Sequence, residues 1–169
     1  MNIYLLRHGI AVARDDPAAG ADSERPLTKK GIKRMRKAAQ GIARLVIPFD
    51  AILTSPLIRA RQTAEIVATE LDISSRLNDM PQLSPENSPR QLLSALDKFK
   101  EHKHILLVGH EPLLGDFAGF LLSHENDSAL EIPLKKGGIC CIEIASIAPP
   151  QSAQLHWMLT PKQLRMIAG

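Results

Sequence analysis

Three short segments of the chain bring together residue types suited to an anionic group: Arg7-His8-Gly9, Thr54-Ser55-Pro56 and Gly109-His110-Glu111-Pro112. Each follows an apolar run, Ile3 to Leu6, Ala51 to Leu53 and Ile105 to Val108. Runs of this length without a polar break read as strands buried on both faces of a sheet. Ligands of open α/β sheets bind just beyond the carboxyl ends of such strands. Pro56 and Pro112 mark helix starts, so two of the segments also aim unbonded backbone N–H groups at the same region, which favours an anion. Arg59 falls in the first turn after Pro56. The predicted site therefore gathers Arg7, His8, Arg59 and His110.

Two histidines first suggest a metal, but metal sites want carboxylate or thiolate ligands and no competing cations. Here the companions are two guanidiniums, which are always charged and match phosphate oxygens through a planar fork. A dianionic phosphoryl group fits this set and a divalent metal does not. Either histidine alone reads as a structural residue. Their shared position at strand ends, each beside a glycine, favours the functional reading.

The rest of the chain alternates helix and strand. Ala13 to Pro26 is polar, with Asp15-Asp16-Pro17 and Gly20, and reads as a long loop. Thr28 caps a basic helix that should run to about Val46 and stop before Pro48. Ser55-Pro56 reads as an N-cap with proline at the first helical position, and Leu57, Ala60, Ala64, Val67 and Leu71 give that helix its apolar face. Asp72 to Pro89 reads as irregular, followed by a helix from about Arg90 to Lys100 and another from Pro112 to about Leu122. Gly138 to Ala145 and Ala153 to Leu159 read as two strands joined through Pro149-Pro150, and Pro161 to Ala168 as a final helix. The alternation predicts a single-domain α/β sandwich with a mostly parallel sheet and an antiparallel edge.

Composition narrows the setting. At 169 residues, 44% hydrophobic and 23% charged, the chain suits one folded domain spanning 1–169. Its two cysteines, Cys140 and Cys141, are adjacent inside an apolar run, which reads as buried strand and a reducing compartment. No apolar stretch is long enough to span a membrane, and the N-terminal run ends at Leu6, too short for a secretory signal, so a cytoplasmic protein is expected. Net charge is +3, but Lys29, Lys30, Lys33, Arg34, Arg36 and Lys37 fall within nine residues that contain no acid. This cluster reads as the solvated outer face of an amphipathic helix or, alternatively, as a docking surface for an acidic partner. Nucleic acid is disfavoured, since aromatic residues make up 4% and none interleaves with these charges.

An apolar strand running into Arg7-His8-Gly9, then Leu53-Thr54-Ser55-Pro56 with Arg59, Gln62 and Thr63, then Gly109-His110, resembles the histidine phosphatase superfamily, the phosphoglycerate-mutase-like group. Within it, the short length, Arg25-Pro26-Leu27-Thr28 and Gly109-His110-Glu111-Pro112 are similar to the SixA-type phosphohistidine phosphatases. The resemblance implies a three-layer α/β/α sandwich and a two-step phosphoryl transfer without metal or cofactor. His8 would be the nucleophile, and Arg7, Arg59 and His110 would hold the phosphoryl oxygens. Arg25 would stand at the pocket rim, against the alternative of an ordinary loop arginine, while Arg14 and Arg61 read as surface residues. The implied partner is a phosphohistidine-bearing protein such as a histidine phosphotransfer domain, with inorganic phosphate as product.

One departure bears on substrate. Phosphoglycerate mutases and many phosphatases of the resembled superfamily carry an acid, after the second helix and in a longer insert, that protonates the leaving alcohol; here that region is brief and reads Met80-Pro81-Gln82-Leu83-Ser84-Pro85-Glu86. Gln82 cannot donate a proton in that sense, and Glu86 could do so only if its loop folds over the site. A phosphoramidate P–N bond breaks readily once its ring nitrogen is protonated, by solvent or by His110, so phosphohistidine is favoured over sugar phosphates. The alternatives are a small-molecule phosphomonoesterase and a non-catalytic phosphate-recognition module.

Overall fold

A computed structural model describes residues 1–16, 19–123, 130–147 and 152–169. Pro17 of the first loop and the Pro149-Pro150 connection lie outside the described residues. In chain order the elements are β1 (Asn2–Arg7), α1 (Lys29–Ala43), β2 (Ala51–Thr54), α2 (Ile58–Glu70), β3 (Leu77–Asp79), α3 (Pro89–Leu96), β4 (His104–Gly109), α4 (Leu113–Ser123), β5 (Ile139–Ile144), β6 (Ala153–Leu159) and α5 (Pro161–Ile167). The six strands form one sheet in the order β3-β2-β4-β1-β5-β6. The first four of these pair in parallel, and β5 and β6 add the antiparallel edge.

Alternate residues of the central strands feed two apolar layers. Ile3, Leu5 and Leu107 pack with Leu92, Leu96 and Phe117 of α3 and α4. Tyr4, Leu6 and Val108 pack with Met35, Ala64 and Leu164 of α1, α2 and α5. Both faces being covered, the central strands are buried throughout, which is why they read as unbroken apolar runs. The expected three-layer α/β/α sandwich is the observed one. Cys140 and Cys141 are buried and free in β5.

Thr28 caps α1 as expected, its side chain accepting the Gly31 N–H. Gly31 also allows α1 to lie against the loop after His8, since a Cβ there would fall 2.0 Å from the Ile10 carbonyl oxygen. The helix ends at Ala43, short of Val46, because the chain turns through Val46 at φ 53° ahead of Pro48. Ser55 is not the cap of α2: Leu57 takes that position and the helix starts at Ile58, with the Ser55 hydroxyl drawn instead toward His110. The segment after Asp72 is not wholly irregular. It contains β3, a three-residue edge strand whose Asn78 and Asp79 are exposed, too short and too polar to stand out in sequence. The next helix begins one residue early, where Ser88 and Gln91 form a reciprocal cap, and gives way after Leu96 to a single 3-10 turn over Asp97–Phe99. Helix α4 starts at Leu113 and reaches Ser123. No helix among the described residues is long and apolar enough to cross a membrane.

Candidate active site

Strand register brings the two histidines together. β1 and β4 are adjacent and parallel with Arg7 opposite Gly109, and the His8 N–H donates to the Gly109 carbonyl at 3.0 Å. The two imidazoles leave neighbouring strand ends side by side, with ring centroids 5.0 Å apart. β2 supplies the third loop, where the Ser55 N–H donates to the Val108 carbonyl at 3.0 Å. His8, Ser55, Arg59 and His110 are all buried, Arg59 with 3% of its surface exposed although it carries a full charge.

Each side chain is held by a different device. His8 Nδ1 lies 2.7 Å from the Gly9 carbonyl oxygen, which can only accept, so the proton sits on Nδ1 and the Nε2 lone pair is left available. His110 Nε2 lies 2.9 Å from Ser55 Oγ. Arg7 Nη1 donates to the Leu134 carbonyl at 2.7 Å, and the Leu134 N–H in turn donates to Glu111 at 2.7 Å. Arg59 donates from Nη1 to the Asp22 carbonyl and from Nη2 to the Asp22 carboxylate at 3.0 Å.

Two motif residues fasten these loops to α2. Thr63 accepts the Gly9 N–H at 3.0 Å and donates to the Arg59 carbonyl at 2.7 Å, so one hydroxyl ties the His8 loop to the Arg59 turn. Gln62 accepts the Leu27 N–H at 2.7 Å and anchors the Arg25-Pro26-Leu27-Thr28 segment.

Four buried side-chain nitrogens among the described residues have no hydrogen-bond partner: Arg7 Nε, Arg59 Nε, His110 Nδ1 and, away from this cluster, His102 Nδ1. A buried polar group without a partner is costly, and three of these four belong to the residues gathered at the strand ends, where a ligand rich in acceptor oxygens would satisfy them. Among the described residues no three His, Cys, Asp or Glu side chains gather as a metal-binding group.

Asp22, which sequence reasoning did not single out, organises the rim. Its carboxylate takes bonds from Arg59, from Arg25 at 2.8 and 3.0 Å, and from exposed Arg14 at 3.0 Å. Arg25 also donates to the Val12 carbonyl at 2.7 Å, so it is fixed beside Asp22 with its side chain 12% exposed. The only sequence signal was an acid three residues before Arg25 in a polar loop, which folds as one 3-10 turn. Arg61 faces outward and pairs with Glu65 and Asp79. Glu86 is exposed, and its carboxylate makes no hydrogen bond or ion pair among the described residues. Gln82 is half-buried and faces a groove shared with Asn87, Arg90 and Gln91.

Electrostatics keep both imidazoles neutral. Burial pushes His8 down to about 4; the Gly9 carbonyl opposes this, and the charges of Arg59, Arg7 and Lys136 push the same way. Burial likewise lowers His110 to about 3, helped by His8 and Arg59. Burial raises Asp22, but hydrogen bonds and charge from Arg25 and Arg59 outweigh it and hold the carboxyl at about 2. In the unfolded chain both histidines bind protons at the ordinary value of 6.5, whereas in the folded chain they stay unprotonated to about 4 and 3. Stability is therefore expected to be fully present above about pH 6.5 and to fall as pH drops toward 3. Urea unfolding as a function of pH checks this, and His110→Asn should make the decline shallower.

A family model for the histidine phosphatase superfamily (branch 1) matches residues 3–84. The chain is 28% identical to the phosphohistidine phosphatase SixA of Escherichia coli (strain K12), over 98% of each chain. It is 38% identical to an uncharacterized protein of Picosynechococcus sp., over 97% of this chain and 99% of the other. Its fold is similar to that of the protein histidine phosphatase SixA complexed with tungstate, with a TM-score of 0.83, 25% identity, and 97% and 99% of the two chains covered.

Proposed function

The chain belongs to the histidine phosphatase superfamily, and on that premise we propose that it is a metal-independent phosphatase that removes the phosphoryl group from phosphohistidine in a partner protein. The observation that carries the reading is the set of unpartnered donors, Arg7 Nε, Arg59 Nε and His110 Nδ1, around a buried neutral His8. His8 Nε2 attacks phosphorus with its lone pair while the bond from phosphorus to the leaving group breaks. Water then attacks the phosphorylated His8, the P–N bond breaks, and inorganic phosphate leaves. Arg7, Arg59 and His110 bind the three equatorial oxygens, where charge accumulates during transfer.

Ser55 sets the role of His110. Its oxygen accepts the Leu57 N–H at 3.3 Å, and we assign its own proton to His110 Nε2, 2.9 Å away. That tautomer places the ring N–H on Nδ1, the atom without a protein partner. Arg25 acts at one remove, by holding the Asp22 carboxylate against Arg59. A phosphate-binding module without turnover would need no neutral imidazole with a free Nε2, and this favours the enzyme.

The substrate class is supported by the end-to-end likeness to a phosphohistidine phosphatase and by the carboxylates tied to the site. Asp22 is held ionised by its arginines, and both Glu111 oxygens accept backbone N–H groups, from Leu134 and Gly115. Burial raises Glu111, but with both of its oxygens taken by backbone N–H groups it is not turned to protonate an alkoxide, and Asp22 is ionised. The test is a side-by-side assay on a chemically phosphorylated histidine protein and a panel of phosphate monoesters. Faster turnover of the monoesters would establish the small-molecule phosphomonoesterase instead.

Two further outcomes are expected. Arg59→Ala should weaken both binding and rate, since removing a charged hydrogen bond to a phosphoryl group costs about 1.5–3 kcal/mol, roughly 10- to 150-fold in kcat/KM. Activity after exhaustive chelation should be unchanged, and rescue of a chelated sample by zinc or magnesium would show a metal requirement.

A further inference from the structure

Two sets of cationic side chains differ in how their charge is met. Arg14, Arg25, Arg59 and Arg61 each hold a carboxylate. A second group, drawn from three separate parts of the chain, converges without one. A cleft of about 190 Å³ between α1, the loop at 135–137 and the start of α5 is lined by Arg34, Lys135, Lys136, Lys162 and Arg165, and by no acid. Arg34 and Arg165 also border an adjoining groove with Lys29, Lys30, Lys33, Arg36 and Lys37, again without an acid. Of these, Lys37 donates to the Gly169 carbonyl, and none forms an ion pair with Asp or Glu among the described residues. An ordinary solvated helix face mixes signs; here ten cations repel one another over one surface.

That surface leads to the site. Gly9 and Gly137 also line the cleft, and the Gly137 N–H donates to the carbonyls of Arg7 and His8 at 3.0 and 3.1 Å. Lys136 is close enough for its charge to act on His8. Resting on the function proposed above, we infer that this continuous basic surface is where an acidic face of the phosphorylated partner protein docks, presenting its phosphohistidine to His8. Acidic side chains flanking the phosphohistidine meet the α1 and α5 cations, and their attraction adds to the rate of encounter and to orientation. A polynucleotide is the lesser fit, because the apolar residues between these cations are Ile10, Met35, Ala38 and Pro161, with no aromatic ring for a base to stack on.

The experiment uses the full chain and two synthetic peptides of about 25 residues, each with one histidine, one with glutamate-rich arms and the other with glutamine in their place. Both are labelled for fluorescence anisotropy, and both are also phosphorylated on histidine for kinetics. A variant carrying Lys30→Glu, Lys33→Glu, Arg34→Glu and Lys162→Glu tests the surface, with the four glutamine substitutions as a milder companion. All four positions are exposed, and hydrolysis of 4-nitrophenyl phosphate reports whether fold and site are intact.

At low salt the glutamate-armed peptide should bind on the order of tenfold tighter than the glutamine-armed one, and its phosphorylated form should have a kcat/KM higher by a similar factor. Both preferences should vanish in the variants and at high salt, with 4-nitrophenyl phosphate turnover unchanged. Equal binding, or equal hydrolysis of the two phosphopeptides, overturns the docking inference and leaves the phosphatase reading standing. Hydrolysis of neither phosphopeptide, with 4-nitrophenyl phosphate still cleaved, overturns the phosphohistidine reading and substrate docking with it. Tighter binding of a labelled 25-nucleotide single strand than of the glutamate-armed peptide assigns the surface to nucleic acid.

Discussion

Replacing His8 by alanine is expected to lower turnover by about 10³-fold or more while leaving an oxyanion such as tungstate or vanadate bound. The two effects separate because the side chains do different work. His8 Nδ1 is committed to the Gly9 carbonyl and only Nε2 is free, so the residue supplies a lone pair and little else. The oxygens are left to Arg7, Arg59 and His110, whose hydrogen-bond anchors are Leu134, Asp22 and Ser55. A phosphorylated enzyme, trapped by acid quench from the wild type, should be absent from His8→Ala. Oxyanion affinity measured by calorimetry should stay within a few-fold. Covalent phosphorylation persisting in His8→Ala would move the nucleophile elsewhere, with His110 the next residue to test.

What could be read from the residues depended on how local the cause was. The strands bearing His8 and His110 are buried on both faces, and that burial writes itself as unbroken apolar runs. Their adjacency was not written in the sequence, since nothing in either segment states that β4 pairs with β1 and not with β3. The motif order supplied it. Ser55 illustrates the opposite case. Ser-Pro before an apolar periodicity is a helix-start signal, yet the hydroxyl is taken by His110, 55 residues away, and the cap moves to Leu57. A long-range hydrogen bond overrode a local preference at the very place where the residue bears on chemistry. Asp22 was illegible for a related reason: its importance comes from three arginines that meet only in the fold. The basic cluster of α1 was visible as a run of charge, but the contributions of the 135–136 loop and α5, which make it one continuous surface with the site, come from packing distant in sequence.

Catalysis is expected to depend steeply on the acidity of the leaving group. The cause lies in the loop that closes the carboxyl end of β2, where Met80 N–H donates to the Thr54 carbonyl at 2.8 Å and the Leu83 carbonyl comes up against Gly109. This brings the backbone of the loop to the site, while its one carboxylate, Glu86, stays exposed. His110 is no substitute for an acid, because burial and the neighbouring His8 hold it at about 3, leaving it neutral near pH 7. Solvent is then the proton source for a phosphohistidine leaving group, whose ring nitrogen accepts a proton before the P–N bond breaks. An alkoxide has no such route. Across phenyl phosphates of graded leaving-group pKa, kcat/KM should fall continuously as the phenol becomes less acidic, alkyl phosphates should be nearly inert, and phosphohistidine should be the best substrate. Gln82→Glu should raise alkyl phosphate turnover only if the new carboxyl turns from its groove beside Asn87 and Arg90 toward His8. Glu86→Gln should leave the slope unchanged. A flat dependence that Glu86→Gln makes steep would show that Glu86 swings over the site as the acid and that the enzyme is a general phosphomonoesterase.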